Sequence, residues 1–162
     1  MGSGYRHPAL RQLKDQQARY APRERRLEQI NRAEVLLAEI DDDRRYPYEY
    51  ICFRITGYRP ETMPDLILDG EDARHDLRLF VEDLSSTLNQ PVEQVNETVL
   101  TVEQVGKRYN VSTRTVNRWR GRGLVACKFI FDGKPKVGFL ESSVNRFVEE
   151  NRDNWAVVRV FD

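Results

Sequence analysis

The chain has 162 residues, 40% of them hydrophobic and 32% charged, with 26 lysines and arginines balancing 26 aspartates and glutamates. That length suits one domain or two small ones, and the composition excludes a disordered chain in favour of a folded, soluble protein with long polar helices. No apolar run nears the roughly 20 residues of a membrane span, and no secretory signal opens the chain, so a cytoplasmic protein without membrane attachment is expected. Cys52 and Cys127 each sit in an apolar segment and read as buried, reduced thiols. His7 and His75 are the only histidines, and no metal-ligand spacing occurs, so neither metal nor cofactor is expected.

The neutrality is only global. Residues 1–45 carry ten basic and eight acidic side chains, residues 46–98 four and eleven, and residues 99–151 ten and five. The three blocks therefore have net charges of +2, −7 and +5. Blocks of opposite sign on one chain point to different partners for different parts.

"PALRQLKDQQARYAPRERRLEQINRAEVLLAEIDDD" predicts two helices parted at Pro22. Pro8 and Pro22 each suit a first helical turn, where the missing N–H has no intrahelical partner anyway. In the second helix Leu27, Ile30, Ala33, Leu37 and Ile40 recur at steps of three and four, giving one apolar face. The arginines between them read as a solvated face. Asp41, Asp42 and Asp43 then oppose the helix dipole and mark a stop. "YPYEYICFRITGYRP" has strand-like aromatic and β-branched content, yet Pro47 at a first turn and Gly57 at a stop favour a short helix. "DGEDARHDLRLFVEDLSSTLNQP" predicts a further helix, with Ala73, Leu77, Phe80, Val81 and Leu84 on one face. Asp72, Asp76, Glu82 and Asp83 form its polar side, where His75 has no evident acid beside it. Residues 91–98 read as a polar linker.

"LTVEQVGKRY" opens a helix with full punctuation. Thr101 is its cap, Gln104 completes a capping box, and Leu100 and Val105 stand at the positions of a hydrophobic staple. "NVS" makes a turn, Ser112 caps a second helix, and Val116 and Trp119 form that helix's inward stripe. Gly123 stands where a left-handed residue commonly ends a helix. Two short helices joined by so short a turn are a helix-turn-helix. "VACKFIFDGKPKVGFL" predicts a hairpin about Asp132-Gly133, with Pro135 confined to an edge strand. "ESSVNRFVEEN" closes with a helix whose inner face is Val144, Phe147 and Val148. The expected fold class is mainly α. A helical amino-terminal unit (5–90), acidic in its second half, precedes a winged helix-turn-helix (99–151) and a tail (152–162) that reads as a docking strand.

The second helix of that motif concentrates charge: "NVSTRTVNRWRGRGL" holds four arginines. With Val116 and Trp119 inward, Arg114, Thr115, Asn117 and Arg118 are expected to project outward. A helix fits the B-DNA major groove, about 12 Å wide, where arginine pairs with guanine edges and asparagine with adenine. Ser112 and Thr113 lie at the helix's amino end, whose free N–H groups suit a phosphate. Arg120 and Arg122 flank the following turn, Lys128 lies on the first strand of the hairpin, and Lys134 and Lys136 mark the wing. Trp119 reads as core, since large aromatic side chains are mostly buried. Together these residues point to double-stranded DNA.

"LTVEQVGKRYNVSTRTVNRWRGRGLV" followed by "FIFDGKPKVGFLESSVNRFVEEN" resembles the excisionase-like branch of the MerR-type winged helix-turn-helix superfamily. Ahead of it, "PALRQLKDQQARYAPRERRLEQINRAEVLLAEID", "YPYEYICFRITGYRPE" and "GEDARHDLRLFVEDLS" resemble the amino-terminal part of sigma-70-class RNA polymerase sigma factors of planctomycete bacteria. The resemblance implies a role in transcription, with RNA polymerase or another sigma domain as a partner. The promoter-reading and polymerase-binding regions of such factors lie downstream of this module. A truncated factor or a shorter regulator is therefore expected, one that does not itself recognise a promoter core.

Two functions compete at this level. One is a DNA-binding transcription module, whose acidic block meets polymerase, a sigma domain or a second copy of the chain. The other is a protein-interaction adaptor that docks the winged unit and acidic helix on polymerase or a regulator without binding DNA. An enzyme is not expected: there is no glycine-rich phosphate loop, nucleophile elbow, metal cluster or framed carboxylate pair.

Overall fold

The computed structural model describes residues 4–152. They are mainly helical and fall into two compact units that part between Leu88 and Asn89. The tail expected to be a docking strand lies, from residue 153 on, outside the described residues.

The first unit contains α1 (Pro8–Tyr20), α2 (Arg23–Glu39), β1 (Arg45–Pro47), α3 (Tyr48–Thr56), β2 (Ile67–Asp69) and α4 (Gly70–Ser86). The apolar face expected of α4 is buried in full, and α4 packs against α1 and α2 while α2 packs against α3. The ambiguous aromatic segment resolves both ways: a strand runs to Pro47, and a helix starts at Tyr48. Pro47 and Pro22 cap their helices, whereas Pro8 sits inside the first turn. Gly57 ends α3 in a left-handed conformation, as expected. β1 pairs antiparallel with β2, Tyr46 opposite Leu68. Three-residue strands are too short to show a period, so this ladder had no signature in the sequence.

Three expectations about polar side chains need correction. Asp76 is completely buried and Glu82 nearly so, although both were assigned to a polar face. Asp76 accepts the backbone N–H groups of Arg6 (2.8 Å) and His7 (3.0 Å), which the start of α1 leaves without intrahelical partners. His75 does have an acid beside it: its Nδ1 lies 2.9 Å from Asp76 Oδ1. Finally, two arginines of α2 do more than face solvent. Arg23 Nη1 donates to the Leu88 carbonyl (2.6 Å) and Arg26 Nη1 to Thr87 Oγ1 (2.6 Å), just past the end of α4. Cations suit that end of a helix because its carbonyls are unpaired.

The Tyr5 hydroxyl donates to Asp83 at 2.9 Å, and burial, then the neighbouring carboxylate, push its pKa far above the ordinary phenol value. The amino-terminal strand of chain is thus pinned to α4 by one buried and one partly buried carboxylate. Replacing Asp76 by alanine leaves two part-buried backbone donors without their acceptor. Asp76→Ala is expected to destabilise the first unit by roughly 2–4 kcal/mol in urea unfolding, with Asp76→Asn losing less because its carbonyl still accepts.

The second unit contains β3 (Val99–Leu100), α5 (Val102–Tyr109), α6 (Thr113–Arg120), β4 (Cys127–Phe131), β5 (Lys134–Leu140) and α7 (Glu141–Glu150). This is the helix, turn, helix, hairpin, helix order of a winged helix-turn-helix. Residues 91–98 are not a free linker. Pro91 bridges to Ile130, Ile130 N–H donates to the Gln90 carbonyl (2.8 Å), and Val92–Gln94 make a 3-10 turn. Glu97 accepts from the Ser142 N–H (2.8 Å) and hydroxyl (3.0 Å), capping the start of α7.

The sheet order is β3-β5-β4, all antiparallel. Asp132 and Gly133 both have positive φ (51° and 81°) between the paired Phe131 and Lys134, a two-residue turn of the primed type favoured in hairpins. Pro135 lies on the central strand, not on an edge strand as expected. It is tolerated because β3 pairs only with Phe139 and Leu140, which leaves the outer side of β5 open at Pro135. In an antiparallel ladder closed at Phe131–Lys134, the next pair, Ile130 opposite Pro135, exchanges no hydrogen bonds, so the missing N–H breaks nothing.

Val105, Val116, Trp119, Leu124, Phe139 and Val144 are fully buried and form one cluster with Leu100, Ala126 and Phe147. Trp119 is its largest member, edge-on to Tyr109 (6.0 Å between centroids) and tilted against Phe147 (5.6 Å). Trp119→Ala is expected to cost about 3–5 kcal/mol, read as a lower urea midpoint for the second unit, with the first unit's transition unchanged.

Candidate nucleic-acid interface

The frame of the site begins at Thr101. Its hydroxyl accepts the Gln104 N–H (3.1 Å), and the Gln104 side chain accepts the Thr101 N–H (2.9 Å), so the capping box is complete. Leu100 and Val105 meet in the core, as the staple requires. α5 ends on Asn110, a left-handed residue (φ 54°), with Val111 N–H returning to the Gly106 carbonyl at 2.9 Å. That 6→1 bond turns the chain sharply toward α6. Ser112 then caps α6, its Oγ accepting from Thr115 N–H at 3.1 Å. At the far end Gly123 is left-handed, and Leu124 N–H returns to the Trp119 carbonyl at 2.9 Å.

Gly106 carries this geometry, and the sequence reading passed over it. A Cβ there would sit 2.8 Å from the Val111 carbonyl oxygen, a backbone atom with no room to move alone. The signal was present: a glycine inside a well-punctuated helix needs a packing reason.

α6 divides its side chains into three stripes. Thr115, Val116 and Trp119 are fully buried. Thr115 therefore cannot project outward as expected; its hydroxyl lies 3.3 Å from Ser112 Oγ, inside the cap. Arg114 and Arg118, one turn apart, are exposed on the outward ridge. Thr113, Asn117 and Arg120 form the third stripe, on the side toward the hairpin.

That third stripe lines a surface hollow of about 590 Å³, shared with Lys128 of β4, Lys136 and Pro135 of β5, and Val102 and Glu103 of α5. Arg120 Nη1 donates to Asn117 Oδ1 at 3.1 Å. An adenine edge is read with both the amide oxygen and nitrogen, and Arg120 occupies one of that oxygen's two acceptor positions. Arg114, Arg118, Arg122, Ser112 and Lys134 lie outside the hollow, the last on the exposed turn of the wing. Among the described residues Arg114, Arg118, Arg122, Lys134 and Lys136 enter no ion pair, whereas Arg108 is paired with Glu141 at 2.8 Å. The sequence reading also missed Glu103, the acid on the rim, which suits the positive amino end of α5.

Among the described residues no helix is long and apolar enough to cross a membrane, and no group of three His, Cys, Asp or Glu side chains is placed to hold a metal ion. Comparison of the chain with protein-family models, with curated proteins and with solved structures gave no match.

Adding a methyl group at residue 106 forces the two helices of the motif apart. Gly106→Ala is expected to lower the stability of the second unit by roughly 1–3 kcal/mol, measured by urea unfolding, despite alanine's better helix propensity.

Proposed function

We propose that residues 99–151 form a DNA-binding transcription module related to the amino-terminal part of a bacterial RNA polymerase sigma factor. In this reading α6 enters the major groove and the hairpin wing lies against the backbone. The observation that carries it is the pair of exposed arginines on the outward ridge of α6, Arg114 and Arg118, beside a hollow edged by Arg120, Lys128 and Lys136. An eight-residue helix is about 12 Å long and presents two turns to a groove. In this reading the ridge reaches base edges and the hollow receives the sugar–phosphate strand beside them. Asn117 and Thr113 belong to the backbone side of this division.

The proposed contact with polymerase or a sigma domain rests on the resemblance. The acidic block offers it less than its composition promised: Asp76 and Glu82 are buried, and Glu49, Asp69, Glu71 and Asp72 each pair with an arginine. DNA binding is therefore the stronger of the two functions proposed for this chain.

Base readers and backbone contacts respond differently to substitution. In fluorescence anisotropy on a selected duplex and a scrambled one, Arg118→Ala is expected to cost about 1–3 kcal/mol on the selected duplex and little on the scrambled one. Lys136→Ala is expected to weaken both alike and to reduce the salt slope of log affinity by about 0.9. Equal losses on both duplexes for both variants would remove α6 as the reading element.

A further inference from the structure

Among the described residues six large apolar side chains are exposed, Tyr20, Val35, Tyr50, Phe53, Tyr58 and Ile67, and all belong to the first unit. The described residues of the winged unit contribute none. On the first unit the exposed groups are not scattered. Phe53, 51% exposed, stands between two hollows. One, about 400 Å³, is floored by Val35 and edged by Glu28 and Arg32 of α2. The other, about 330 Å³, is lined by Pro47, Glu49 and Tyr50. Ile67 continues this apolar edge, since it pairs with Pro47 across the β1–β2 ladder.

The rim of the face is polar, ordered and of balanced sign. Arg32 pairs with Glu28 (2.9 Å), Arg54 with Glu39 through both terminal guanidinium nitrogens (2.9 and 2.8 Å), and Arg59 with Glu49 (3.4 Å). Arg54 also donates to the Tyr50 hydroxyl (2.6 Å) and covers its ring, whose other neighbour is Tyr46, stacked at 6.4 Å. An exposed aromatic side chain already held in place loses little freedom when something covers it.

We propose that this α2–α3 face is where two copies of the chain associate about a two-fold axis. A ring that projects beside a hollow large enough to take one is self-complementary: rotation by half a turn sets each Phe53 over the other copy's hollow. Three arginines and three glutamates around it give no net charge, which disfavours nucleic acid or a strongly charged protein. The same rim lets a two-fold rotation bring arginine over glutamate on both sides. Aromatic groups at the centre with paired charges around them match the anatomy of interface cores and rims.

Self-association stands apart from the DNA reading and is measured without DNA. Sedimentation equilibrium of the full chain, from micromolar to hundreds of micromolar, is expected to show a monomer–dimer equilibrium. Phe53→Glu and, separately, Val35→Glu should weaken it about 30-fold or more, as expected for a central anchor, while circular dichroism stays that of the parent. Tyr20→Glu, which changes the most exposed aromatic side chain outside both hollows, should leave the dimer intact. A monomer throughout the range would overturn the proposal, and so would a dimer that survives both Phe53→Glu and Val35→Glu. Neither result would alter the expected behaviour of Arg118→Ala on DNA.

Discussion

Trp119 and Val116 have to be covered, and α6 has only eight residues with which to do it. Their burial beneath Tyr109, Phe147 and Val144 fixes the rotation of the helix about its own axis. With Thr115 also drawn in, little choice is left for the rest. Arg114 and Arg118 must form the ridge, and Thr113, Asn117 and Arg120 must flank the hairpin. The basic surface is therefore a consequence of the core. Its charges do not have to be positioned one at a time.

The hairpin is braced on both edges, β5 by β3 and β4 by residues 90 and 91. β3 meets β5 over two residues, next to the core, and beyond that β5 runs free on its outer side through Pro135. On the opposite edge Gln90 and Pro91 meet Ile130, one pair short of the closing pair at the turn, and Glu97 caps α7. The wing is thus held at its root by β3 and along its β4 edge as far as Ile130, while Asp132, Gly133 and Lys134 at its tip stay exposed.

Much of the winged unit was legible in the sequence because its signals are local. A capping box needs Thr101 and Gln104 three residues apart, and a two-residue hairpin needs Asp132-Gly133; both formed where expected. What escaped was long-range. Asp76 looked like one more carboxylate on a polar helix face, and only the fold brings the backbone of Arg6 and His7 to it, some 70 residues away in sequence. Thr115 looked outward because its neighbours are polar, yet its place one residue before Val116 and three after the Ser112 cap puts it inside the turn. Pro135 was assigned to an edge strand by a sound rule, and although β5 is the central strand, at Pro135 its nitrogen faces the side that the short β3 leaves open. The exposed side chains of the α2–α3 face had no signature either, since periodicity marks the face a helix buries and says nothing of a second one.

The proposed placement of α6 against DNA is tested residue by residue in the intact protein. Backbone amide shifts followed by NMR, as a duplex is added to the full chain, should move for residues 112–120 and 133–137 and stay fixed across α2 and α3. The proposed reading requires that pattern, weakening with added salt as phosphate contacts do. Shifts confined to the first unit, or none at all at low salt, would contradict it.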